Sequence, residues 1–125
     1  MTTLHKFVVG LVAALHLYIA WFEIFAWTTK GPAVFSSLPA ELFEPTVAMA
    51  ANQGLYNAFL AAGLIWSLFI RDLPWHFRVA RCFLLFVLVA GIFGAVTVSP
   101  KILIVQGLPS ITGLIIGYLA AKRAI

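Results

Sequence analysis

Glu23 is an ionisable side chain inside a long apolar run, with His16 seven residues before it. On a helix, seven residues are two turns, so both side chains share a face about 10 Å apart. A carboxyl and an imidazole so placed can line one cavity, and together they are the minimum kit for moving protons. A second polar cluster follows in Asn52-Gln53-Gly54-Leu55-Tyr56-Asn57. Asn52 shares a face with Tyr56, and Gln53 with Asn57, each pair at i, i+4. A polar group in hydrocarbon costs several kcal/mol unless it finds a partner. These side chains must therefore meet protein, water or a ligand. Further along, Thr97 stands beside the small residues Gly91, Gly94 and Ala95, and Gln106 opens the last apolar run.

The runs that carry these residues belong to a membrane protein. Of 125 residues, 63% are hydrophobic and 10% charged, and mean hydropathy is +1.06. Soluble domains average roughly 25% charged residues. The expected fold is a single all-α domain over residues 1–125, an integral membrane four-helix bundle. Its helices are expected at about 4–27, 47–70, 77–98 and 102–121, each long enough for a hydrocarbon core of roughly 30 Å. The first run is too long for a signal-peptide core and holds His16 and Glu23, so it reads as a retained helix. Residues 28–46 contain Gly31-Pro32, Pro39 and Glu44-Pro45, a density of breakers that excludes a spanning helix. They are expected to form the outer loop, with one amphipathic turn at 40–43 and Glu41 outward.

Charge sets the orientation. Lys6, Arg71, Arg78, Arg81, Lys122 and Arg123 fall on one side of four alternating helices, and Lys30 and Lys101 on the other. The excess of basic residues faces the cytoplasm. Both termini are then cytoplasmic, in a multi-pass protein of the cell inner (plasma) membrane. The arginines read as topology determinants and lipid contacts. The formal net charge of +4 has no basic run interleaved with aromatics, so nucleic acid is not an expected partner. A single cysteine, Cys82, excludes an internal disulfide. No phosphate-binding loop, dinucleotide fingerprint, nucleophile elbow or metal-type His and Cys spacing occurs, and no cofactor or metal is expected.

Aligned by depth, Glu23, Asn52 with Gln53, Gly94 and Gln106 all lie about one turn inside the outer ends of their helices. The expected site is a pocket in the outer leaflet formed by Glu23, Asn52, Gln53, Tyr56 and Gln106, with Thr97 nearby. His16 and Asn57 would line its floor, and Trp21, Phe22, Phe59 and Phe93 its apolar walls. Small residues recur at Gly54, Ala58 and Ala62, and at Gly113 and Gly117. Such stripes permit close helix packing or a homo-oligomer.

His16-Leu17-Tyr18 with Glu23, the block 52–64, Gly91-Gly94-Thr97 and Gln106-Gly107-Leu108-Pro109 together resemble the small bacterial membrane family catalogued as domain of unknown function 1304. The resemblance covers nearly the whole chain and implies four transmembrane helices, but no chemistry. One departure is Leu108-Pro109-Ser110, where that family often has Gly-Pro-Ala. The residues themselves favour binding or transport of a small amphipathic molecule such as a quinone, an isoprenoid or an aromatic. The alternatives are an enzyme doing acid-base chemistry on a lipid-soluble substrate and a structural or assembly subunit.

Overall fold

The computed structural model describes residues 1–124. Every regular element in them is helical. Helix α1 spans Thr2–Phe25, α2 Trp27–Val34, α3 Val47–Phe69, α4 Leu73–Thr97 and α5 Leu108–Ala124. A 3-10 turn, Ala40–Leu42, precedes α3, and a π-helical turn, Leu103–Gly107, leads into α5. Three helices are long and apolar enough to cross a membrane, at Thr2–Phe25, Leu73–Thr97 and Leu103–Ala124. Helix α3 has the length, at 23 residues, but is not among the three. Asn52, Gln53 and Asn57 dilute its apolar character.

The chain divides into two compact units. Among the described residues, the long unit comprises 1–14 and 60–124, and the short unit 15–59. In the long unit, Val9, Val12 and Ala13 of α1 bury against Leu64 of α3 and against Ala80, Leu84 and Val87 of α4, with Leu114 of α5 at the edge of the cluster. The helices approach closely where glycine permits it. A Cβ on Gly91 would stand 3.1 Å from the backbone nitrogen of Gly107, so α4 and α5 touch almost backbone to backbone there. Gly107 closes the π turn, in which Leu108 N–H bonds back to Leu103 O. The wider π turn stands just before Pro109, which has no N–H to give, and so accommodates the proline inside a continuous helix.

Helix α4 begins at Leu73 rather than 77. Asp72 caps it, its carboxylate accepting from Trp75 N at 2.9 Å, with Pro74 in the first turn. This is a standard helix start, and it makes the first turn of α4 out of residues that read as a connecting turn.

In the short unit, residues 28–46 are not a plain loop. The chain pauses at Ala26 and resumes as α2, with Lys30 N bonded to Ala26 O at 2.9 Å. The breakers are absorbed. Gly31 is buried because the Phe43 ring lies 2.5 Å from where a Cβ would stand, and Pro32 costs one helical bond near the end of α2. Trp27 anchors the segment. Its ring meets Phe22, Phe35 and Phe43, and its indole N–H donates to Thr46 Oγ1 at 2.9 Å. The expected turn forms at Ala40–Leu42, with Glu41 exposed.

Candidate functional site

In the short unit, the second halves of the α1 span and the first half of α3 are drawn together by Gly54. A Cβ there would stand 2.8 Å from Ile24 Cγ1, 3.0 Å from the Ala20 carbonyl and 3.1 Å from Glu23 Cβ. No larger residue would allow α3 so near Glu23. One turn further along α3, Asn57 Nδ2 donates to Glu23 Oε2 at 2.9 Å. The same amide nitrogen gives its other proton to the Gln53 carbonyl at 3.3 Å. Asn57 is thus locked by its own helix and presents one N–H to the carboxyl. Glu23 and Asn57 are each 9% exposed, and His16 is fully buried.

The pairing satisfies one carboxyl oxygen. The second oxygen, Oε1, accepts no hydrogen bond from the described residues. The arrangement can hold a hydroxyl, amide or cationic group of a guest at Oε1, while Asn57 fixes the carboxyl plane. On one side the buried aromatic set around Trp27 closes the unit, with Phe22 and Phe43 buried.

Of the other expected site residues, Asn52, Gln53 and Tyr56 are on the exposed side of α3, with Tyr56 against Phe59 at 6.1 Å. Of the expected apolar walls only Phe22 is buried, and Trp21, Phe59 and Phe93 are exposed. Thr97 and Gln106 belong to the long unit. Thr97 is exposed and spends its hydroxyl on the Phe93 carbonyl of its own helix at 2.8 Å, and Gln106 is half-buried in the π turn. The glycine faces are filled within the chain. Gly113 meets Leu84 and Val8, and Gly117 meets His5.

A polar cluster absent from the sequence reading lies in the long unit. His5 and His76, 1% and 0% exposed, are hydrogen-bonded, with His5 Nδ1 3.1 Å from His76 Nε2. His76 Nδ1 lies 2.7 Å from the Ser67 carbonyl. A carbonyl only accepts, so His76 carries its proton on Nδ1 and, as a neutral ring, accepts at Nε2. His5 Nδ1 is then the donor. The chain runs one way, from His5 through His76 to Ser67. Phe77 packs on both rings, at 5.2 and 5.1 Å. Gly117 supplies the space, since a Cβ there would come within 2.6 Å of His5 Nε2. The clue was in the sequence. Asp72 followed by Pro74 is a helix-start signature that puts His76 in the first turn of α4. Ser110 is a further buried hydroxyl, donating to the Leu84 carbonyl of α4.

Among the described residues, no group of three His, Cys, Asp or Glu side chains is placed to hold a metal ion.

The sequence profile of the family described as "Protein of unknown function (DUF1304)" matches residues 10–118. The chain is also similar to the uncharacterized protein YpaA of Lactococcus lactis subsp. lactis (strain IL1403). The two are 31% identical over 120 residues, an alignment covering 94% of this chain and 99% of that one. No solved structure matches.

Proposed function

The chain belongs to the DUF1304 family, whose description assigns no activity, and from that premise we propose that it is a binding protein or transport component for a small amphipathic molecule. The observation that carries the reading is Glu23. It is a buried carboxyl on a helix apolar enough to cross a membrane, held through one oxygen by Asn57, with its other oxygen accepting no hydrogen bond from the described residues. An intramembrane carboxyl is costly, and such residues mark ligand or ion paths more often than packing. The guest has an apolar body and a hydroxyl, amide or cationic head, as an isoprenoid alcohol, a quinol or an amphipathic aromatic has.

In this reading the chain is a four-helix bundle of the inner membrane with both termini in the cytoplasm and residues 28–46 outside. The gathering of basic side chains at the chain ends and at 71–81 supports it. A homo-oligomer would have to use surfaces other than the glycine faces, which the chain fills itself.

Native mass spectrometry after gentle extraction tests the function. The wild type is expected to carry a small-molecule adduct that Glu23→Gln, folded to the same helicity, does not. The same adduct on both proteins, or none on either, would favour a structural subunit. Conversion of an added lipid-soluble substrate by the wild type alone would favour the enzyme. Reporters fused at each terminus and at Ser36 test the orientation, and an outside signal from either terminus would overturn it.

A further inference from the structure

Within the long unit, the start of α1, the end of α3, the start of α4 and the end of α5 come to one place. His5 bonds His76, His76 bonds Ser67, and Gly117 lies under His5. These helix ends carry Lys6, Arg71, Arg78, Arg81, Lys122 and Arg123 against a single acid, Asp72, which is engaged in capping α4. Beside them, α4 and α5 leave a cavity of about 150 Å³. Leu73, Phe77, Ala121 and Ala124 form its apolar lining, and Arg78 and Arg81, one turn apart, supply its charge. Both arginines are exposed, and neither has a carboxylate partner among the described residues. Arg78 is steadied over the Trp75 ring, 5.6 Å from its centroid.

We propose that this groove is a binding site for the phosphate headgroup of an acidic membrane phospholipid. Two guanidinium groups one turn apart match the oxygens of a phosphate, which a single ammonium would engage only as a point charge. The groove lies at the first turns of α4 and the last turns of α5, both in segments apolar enough to span. In a bilayer that is headgroup depth. Its volume suits a headgroup rather than a whole lipid. The acyl chains run on along the exposed face of α4, where Leu85 and Val89 follow Arg81 at helical spacing. Basic pockets between helices at the cytoplasmic surface recognise acidic headgroups in this way. The site is independent of Glu23.

The test uses the full chain in bilayer discs of equal phosphatidylglycerol and phosphatidylcholine, with bound lipids counted by native mass spectrometry. The wild type is expected to retain phosphatidylglycerol about ten-fold over phosphatidylcholine. Arg78→Gln with Arg81→Gln should bring that ratio close to one. Ala121→Trp, which fills the groove and keeps both arginines, should do the same, and Lys30→Gln with Lys101→Gln, an equal loss of two charges outside the cluster, should leave it intact. Thermal melts confirm that each variant is folded, and the two groove variants are independent of each other. A preference that survives either groove variant, or falls equally in Lys30→Gln with Lys101→Gln, overturns the site. Displacement of the lipid by millimolar glycerol phosphate would make the ligand a soluble phosphate and overturn the lipid assignment.

Discussion

The two units each bury a polar pair between helices, and they finish it differently. In the long unit the proton chain from His5 through His76 ends on the Ser67 carbonyl, and both imidazoles are packed against Phe77. In the short unit Asn57 gives both of its amide protons, one to Glu23 and one to Gln53, yet one carboxyl oxygen accepts no bond from the described residues. A finished chain holds helices in register. In the function proposed above, an open one retains capacity for a guest, and the unspent valence separates the two cases.

This contrast can be broken by substitution. The largest loss should follow His76→Leu, which strands the His5 N–H and the Ser67 carbonyl in a buried site. We expect a cost of about 3 kcal/mol in detergent unfolding followed by circular dichroism. A cost below about 1 kcal/mol would mean that water reaches the pair. Gly117→Ala comes next, at about 2 kcal/mol, because the new methyl meets His5. Adding His5→Ala should recover most of that loss, and strict additivity would show that the strain lies elsewhere. Asp72→Ala should cost about 1 kcal/mol by uncapping the turn that carries His76. Glu23→Gln should change stability least, by about 0.5 kcal/mol or less, since a Gln oxygen still accepts from Asn57. Its loss should appear in bound small molecules instead. A large destabilisation by Glu23→Gln would put the short unit in the same class as the long one.

Much of this was legible in the sequence, and the pattern of successes is physical. Composition and run length identify an all-helical chain with helices long and apolar enough to cross a membrane, because the bilayer sets a length and a polarity that few other environments demand. Glu23 was legible as a candidate because a carboxyl in an apolar run is rare, and Asn57 because it recurs with it in one polar block, and the structure joins the two by a hydrogen bond. The facing of α3 was not. Asn52, Gln53 and Tyr56 share the block with Asn57, but a helix turns about 100° per residue, and the close approach at Gly54 chooses which of them meets α1. Helix α2 was hidden because Gly31 and Pro32 read as breakers, and only the Phe43 ring, twelve residues on, gives the glycine its purpose. His5 and His76 were hidden by distance along the chain, as no local pattern joins residues 71 apart.

That separation also bears on the order of synthesis. His5 leaves the ribosome first and its partner comes 71 residues later, after α3 has been made. Until then its ring must find its hydrogen-bond partners in water or, for a helix that crosses a membrane, among lipid headgroups. The start of α1 can therefore settle only when α4 arrives, and with Gly117 the final seat of His5 waits for α5 as well. A chain stalled after α3 would leave the His5 ring accessible to labelling reagents that the completed protein, in which it is buried, excludes.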